Sequence, residues 1–281
     1  MPFILILALL FSPTQLLATD NLKIVTSIRP LQLITDEILQ GVGESESLIQ
    51  SDQSPHHFQL KPSQLKTASK ADLIIWVSND FETGLGRLQN ILPSKTQQLE
   101  LADALPSSSL IGENHDIDGH IWLSPENVLL IAQLVSQKLS LLDPLNDQVY
   151  LTNTMKLTHK IQKWKQQSLQ KIRGIKPRYI LDHQFMTYFE HSFGLQNMGS
   201  LRNNHDQGSS IKRLSELHSQ LEKTPAKCLL VTTLPLSRQA EQTAKKFQLE
   251  TKVINMLSEG NKHKTILDLL DPVINSLSSC Q

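Results

Sequence analysis

Between Pro144 and Gly174 the chain runs for about thirty residues with no internal glycine or proline, and as one helix this stretch is about 45 Å long. A helix of that length exceeds the width of an ordinary lobe, so it braces two bodies rather than sitting inside one. On both sides of it, short apolar runs alternate with segments of helical spacing, the pattern of mostly parallel sheets covered by helices. In the first half, strands are expected at 22–28, 47–50, 72–77 and 98–101. Helices are expected at 31–40, 62–69 and 81–91, and at 125–142 behind a Ser124-Pro125-Glu126 cap. In the second half, strands are expected at 178–182, 195–198, 228–232 and 251–255, with helices at 186–193, 211–222, 238–247 and 265–277. The fold class that follows is α/β, with two β/α lobes joined by a long helix.

The boundaries implied are 20–143 for the first lobe, 144–174 for the linking helix and 175–281 for the second lobe. Residues 1–19 form a different kind of segment. The apolar run Met1-Pro2-Phe3-Ile4-Leu5-Ile6-Leu7-Ala8-Leu9-Leu10-Phe11 is too short to span a bilayer, and a small Ala18 precedes a polar start at Thr19-Asp20. This reads as a cleaved export signal. The mature chain is then expected outside the cytoplasm without a membrane-spanning segment.

Charge narrows the partners. Lys and Arg number 27, matching 27 Asp and Glu, which removes the electrostatic argument for a nucleic-acid surface. The balance is uneven along the chain: residues 20–143 hold 8 basic and 16 acidic side chains, and residues 144–281 hold 19 and 11. No Gly-x-Gly-x-x-Gly or Gly-Lys-Ser/Thr loop supports a nucleotide site. Neither a Gly-x-Ser-x-Gly elbow nor a His-Glu-x-x-His helix is present. Only two cysteines occur, Cys228 and Cys280. In an exported chain that number permits one disulfide, which would tie the C-terminal segment to a core strand; their distance in sequence makes a thiolate metal site the weaker alternative.

Ten histidines remain, and their neighbours separate them. His159, His191, His218 and His263 lie among Lys, Glu and Ser and are expected on the surface, and His205 in a loop. Three others stand where alternating α/β folds present ligand groups, in loops beyond strand ends. His56 lies in Ser54-Pro55-His56-His57-Phe58, His120 in Asp118-Gly119-His120-Ile121-Trp122-Leu123-Ser124-Pro125, and His183 directly after Tyr179-Ile180-Leu181-Asp182. Two come from the first half and one from the second, which suits a cleft between lobes. Three neutral imidazoles with a variable fourth position match Zn²⁺, whereas Mn²⁺ favours more carboxylates. Asp118 and Asp182 adjoin two of these histidines and could fix their tautomers. A zinc-dependent hydrolase would also need a general base, and Glu82 and Glu259 are the carboxylates to test for that role.

On these residues the chain resembles the periplasmic metal-binding proteins of bacterial ABC importers of the zinc-uptake type, often called ZnuA-like. The resemblance covers nearly the whole mature chain. It rests on Pro55-His56 with Leu60-Lys61-Pro62-Ser63, on Ala71-Asp72-Leu73-Ile74-Ile75-Trp76-Val77, and on Gly119-His120-Ile121-Trp122-Leu123-Ser124-Pro125. Asp182-His183 with Tyr188-Phe189-Glu190 and Phe193-Gly194-Leu195 completes it. The resemblance implies two lobes joined by a long helix, a metal held at their interface by His56, His120 and His183, and delivery of the ion by a monomer to an inner-membrane permease. The Cys228 and Cys280 pair is similar to the disulfide of enteric zinc-binding members. The manganese and iron branch usually has a carboxylate where His183 stands, so histidine points to zinc. The long His-rich acidic insertion of zinc members is reduced here to Glu113-Asn114-His115-Asp116-Ile117-Asp118, which puts an auxiliary site at His115 in doubt. The C-terminal Asp-containing turn of other members is replaced by Leu257-Ser258-Glu259-Gly260, leaving water, His57 or Glu259 for the fourth position.

Overall fold

The computed structural model of the chain describes residues 22–50, 53–88, 91–112, 117–202, 211–255 and 264–281. The first half begins with β1 (Ile24–Thr26), α1 (Arg29–Leu39), β2 (Ser45–Ser47), α2 (Pro62–Ala68) and β3 (Leu73–Trp76). It continues with β4 (Gln97–Glu100), a short α3 (Leu101–Ala104) and α4 (Pro125–Leu142). Its four strands pair in parallel in the order β2-β1-β3-β4. A 3₁₀ turn at Pro144–Asn146 leads into α5 (Asp147–Lys171), the long helix. The second half contains β5 (Tyr179–His183), α6 (Thr187–Phe193), β6 (Ser200–Arg202), α7 (Ile211–Lys223), β7 (Cys228–Val231), α8 (Arg238–Phe247), β8 (Glu250–Val253) and α9 (Ile266–Ser279). Its strands, also parallel, run β6-β5-β7-β8. The two sheets thus repeat one winding.

The central strands read as continuous apolar runs because both faces are covered. Leu73, Ile74 and Ile75 in β3 and Tyr179, Ile180 and Leu181 in β5 are fully buried. Side chains of α1, α4, α5 and α9 join one core that spans both halves, while a smaller cluster around Leu201, Leu217 and Leu229 lies under α7 and α8. The C-terminal helix α9 therefore returns to the long helix. Trp164 of α5 donates its indole N–H to Asp271 of α9 at 2.5 Å, and Cys280, at the end of α9, is disulfide-bonded to Cys228 at the start of β7 with a Cα–Cα distance of 5.6 Å. Among the described residues no helix is long and apolar enough to cross a membrane.

Three elements differ from the sequence expectation. The helix expected at 81–91 is not formed in its described part: 81–87 is a chain of turns leading to a 3₁₀ residue at Leu88, closed by bonds such as Leu85 N–H to the Glu82 carbonyl and Leu88 N–H to the Leu85 carbonyl. Gly84 explains this, since a Cβ there would lie 2.1 Å from the Phe58 carbonyl oxygen; the backbone is drawn against a neighbouring segment instead of winding on itself. The strand expected at 195–198 begins later, at Ser200. Asn197 turns its amide to the Glu190 carboxylate, and the sheet resumes after Gly199, whose φ of +133° suits only glycine. The strand expected at 47–50 is assigned to Ser45–Ser47, although Leu48 and Ile49 still donate to the carbonyls of Thr26 and Ser27.

Candidate metal centre

Parallel strands leave all their C-terminal ends at one edge, and loops from that edge of each sheet face one another. His56 sits on a 3₁₀ turn, Pro55–His57, in the connection after β2. His120 precedes the 3₁₀ turn Ile121–Leu123 that feeds α4, whose first turn is capped by Ser124 Oγ accepting from Asn127 N–H at 3.1 Å. His183 is the last residue of β5. The three meet: one ligand atom from each lies within 4.8 Å of the others, and they form the sole such group among the described residues. Their ring centroids are 5.7 to 6.5 Å apart. Tetrahedral zinc at about 2.0 Å per nitrogen needs nitrogens about 3.3 Å apart, so small ring movements suffice to close the set on an ion.

Two of the rings are oriented by buried carboxylates. Asp118 Oδ1 lies 2.7 Å from His120 Nδ1 and also accepts the His120 backbone N–H at 3.0 Å. Asp182 Oδ1 repeats this arrangement at His183, with 3.0 Å to Nδ1 and 2.8 Å to the backbone N–H. A proton held on Nδ1 leaves Nε2 of each ring as the free donor atom, which is how metal-binding histidines are commonly fixed. Burial works to raise the Asp118 carboxyl, but electrostatic attraction to the adjacent His120 and the hydrogen bonds it receives outweigh it and hold it below the ordinary carboxylate range. Arg202 stands 3.6 Å from the other oxygen of Asp182. His120 and His183 are buried and His56 is half-buried, so an ion entering here meets two prepared donors and one at the rim.

The other candidates fall out differently. His57 is on the same turn as His56, but its side chain, like His115, His205, Glu259 and His263, lies outside the described residues. His159 and His191 are exposed. His218 departs from its expected surface position: it is half-buried between α7 and α8, with Nε2 3.1 Å from Thr243 Oγ1 and its ring 5.0 Å from that of Phe247.

Glu82 is buried in the first half, where its carboxylate accepts from Ser27 Oγ, Val77 N–H and Ser78 N–H. Through these bonds it joins the ends of β1 and β3. Burial pushes this carboxyl up to about 7, against those hydrogen bonds. A raised folded-state value means that stability is fullest below the unfolded value near 4.5 and declines as pH rises through 7. Denaturant unfolding of Glu82→Gln across that window is therefore expected to lose this slope, shifting the comparison by about 1–3 kcal/mol in favour of the variant as pH rises; parallel profiles would contradict it.

Phe81, expected to open a helix at 81–91, instead stands beside the histidines. Its ring packs edge-on against His56 at 4.8 Å and His120 at 5.3 Å. The available signal was the Gly84-Leu85-Gly86 spacing, which argues against a helix there.

The family described as "Zinc-uptake complex component A periplasmic", ZnuA, matches residues 24–280. A high-affinity zinc uptake system protein of Haemophilus ducreyi is 27% identical over 282 residues, covering 90% of this chain and 85% of that one. A manganese ABC transporter substrate-binding lipoprotein of Streptococcus pneumoniae is also 27% identical, over 225 residues that cover 76% and 73% of the two chains. Among solved structures, one of ZnuA superposes with a TM-score of 0.82 at 21% identity, covering 93% of this chain and 99% of the other. The AdcAII protein of Streptococcus pneumoniae superposes with a TM-score of 0.80 at 24% identity, covering 92% and 98%. These likenesses establish the two-sheet fold, and the match across 24–280 makes the chain a member of the ZnuA family of periplasmic zinc-uptake components.

Proposed function

We propose that this chain is the extracytoplasmic substrate-binding protein of a zinc ABC importer, capturing one Zn²⁺ between its two halves and delivering it to an inner-membrane permease. The observation that carries this reading is the convergence of His56, His120 and His183 from both halves, with carboxylates on Nδ1 of two of them. Zinc is cargo in this account, not a cofactor for chemistry. Three nitrogen donors suit Zn²⁺ better than Mn²⁺, which favours oxygen ligands. The fourth position is assigned to water, with His57 and Glu259 as the alternatives.

The organisation proposed is a cleaved signal at 1–19, lobes at 20–143 and 175–281, and a linking helix at 144–174. The mature protein works in the periplasm as a monomer and is not an enzyme. Release follows from the same placement. Moving the halves apart withdraws His183 from His56 and His120, and a site reduced to two imidazoles holds zinc far less tightly.

Mature protein dialysed with excess zinc is expected to retain one ion per chain by elemental analysis; none, or several held equally tightly, would contradict the site. Asp182→Asn removes the charge behind His183 while keeping the ring. Calorimetric titration should show zinc affinity reduced by about 10- to 100-fold, with the stoichiometry unchanged.

A further inference from the structure

The segment from Ser78 to Gly86 takes no direct part in the proposed ligand set, yet it clasps the turn that carries His56. Thr83 donates its hydroxyl to the His56 carbonyl at 3.2 Å. Gly84 brings its backbone so close to Phe58 that any Cβ would collide with the Phe58 carbonyl. Phe81, only 3% exposed, presents its ring to His56 at 4.8 Å with an interplanar angle of 77° and to His120 at 5.3 Å with 79°, and continues to Trp122 at 5.7 Å. Gly119, one residue before His120, accommodates that ring: a Cβ there would lie 1.9 Å from Phe81 Cδ2. The segment is anchored from below. Glu82 accepts from Ser27, Val77 and Ser78, and Phe81 N–H donates to Ser78 Oγ at 3.1 Å.

We propose that Phe81 is a positioning and selectivity residue for metal binding, with the Ser78–Gly86 segment acting as a built wall that fixes the His56 and His120 rings and keeps the site small. The physical basis is twofold. A ring edge against two imidazoles restricts their rotation, so less freedom is lost when an ion closes the set. An apolar wall on that side also bars the extra oxygen ligands that a six-coordinate Mn²⁺ requires, whereas four-coordinate Zn²⁺ does not need them. This inference rests on the three-histidine reading and concerns what shapes that site.

The test uses the mature protein and its Phe81→Ala, Phe81→Leu and Thr83→Val variants, with two readouts: competition of zinc against manganese, and the visible absorption of the Co²⁺-loaded protein. Co²⁺ absorbs strongly in four-coordinate sites and weakly in six-coordinate ones. Phe81→Ala is expected to lose about 10- to 100-fold in zinc affinity, with manganese affinity unchanged or improved and a weakened Co²⁺ band. Phe81→Leu, which keeps an apolar wall, should recover part of both. A folded Phe81→Ala with the parent's zinc-to-manganese ratio and Co²⁺ spectrum overturns the proposal. If Phe81→Ala does not fold, Thr83→Val decides: its side chain is exposed, so an altered ratio and spectrum support positioning of His56, and parental values overturn it. A parent protein that prefers manganese or gives only a weak Co²⁺ band would instead contradict the zinc reading itself, and this inference with it.

Discussion

Alanine in place of His120 or His183 is expected to lower zinc affinity roughly a thousandfold, about 4 kcal/mol, in competition titrations against a chelator. Each side chain supplies one of three proposed nitrogen donors, and each is already oriented by a carboxylate, so its loss removes both a bond and the prepared geometry. The same substitution leaves Asp118 or Asp182 without its imidazole partner. For Asp118, whose burial is outweighed by its attraction to His120 and by the hydrogen bonds from that residue, the apo protein should also lose stability. His56→Ala should weaken binding as well, with a smaller cost to the apo fold because the residue is half-buried on a short turn. Unchanged zinc affinity in all three variants would remove the site assignment.

The second large effect concerns the disulfide. Cys228 and Cys280 are 52 residues apart in sequence, and the loop-closure model assigns a crosslink of that span about 4 kcal/mol. The double variant Cys228→Ser with Cys280→Ser should therefore unfold at markedly lower urea concentration than the oxidised parent, and reductant should move the parent toward the variant. Zinc affinity in the folded variant should change little. Cys228 is in register with Tyr179, the first residue of β5, while His183 is the last residue of that strand, so the crosslink secures the end of the sheet remote from the histidines. The end it secures is also where α9 closes, since Arg178 donates its N–H to the Cys280 carbonyl at 2.7 Å. Equal midpoints for oxidised and reduced protein would show that α9 is held by packing alone.

Much of this was legible from local pattern. Strands such as Leu73–Trp76 and Cys228–Val231 are apolar and β-branched or leucine-rich because both of their faces are covered, and that composition shows in sequence. The long helix announced itself by the absence of breakers, and α4 by its Ser124 cap and Pro125. The three histidines stood out because each follows a strand or precedes a cap, positions that a parallel fold brings to one edge. What stayed hidden depends on contacts distant in sequence. In the 81–91 stretch the two glycines speak against a helix, but what the backbone does instead is set by distant partners: Glu82 is claimed by Ser27 and by the Val77 and Ser78 amides, and Gly84 by Phe58. Those tertiary contacts, not local propensity, decide the path of the segment. The return of α9 onto α5 through Trp164 and Asp271, and the packing of half-buried His218 against Thr243, are likewise pairings that no local window contains.

If, as proposed, a three-histidine site between the two halves selects zinc, the metal preference of the mature protein must show it. Competitive titration of the signal-free protein with Zn²⁺ and Mn²⁺ tests it most directly. The account predicts one tight zinc per chain that manganese displaces only in large excess, and that is lost in His183→Ala. Equal or tighter binding of manganese, or zinc binding indifferent to His183, would contradict it.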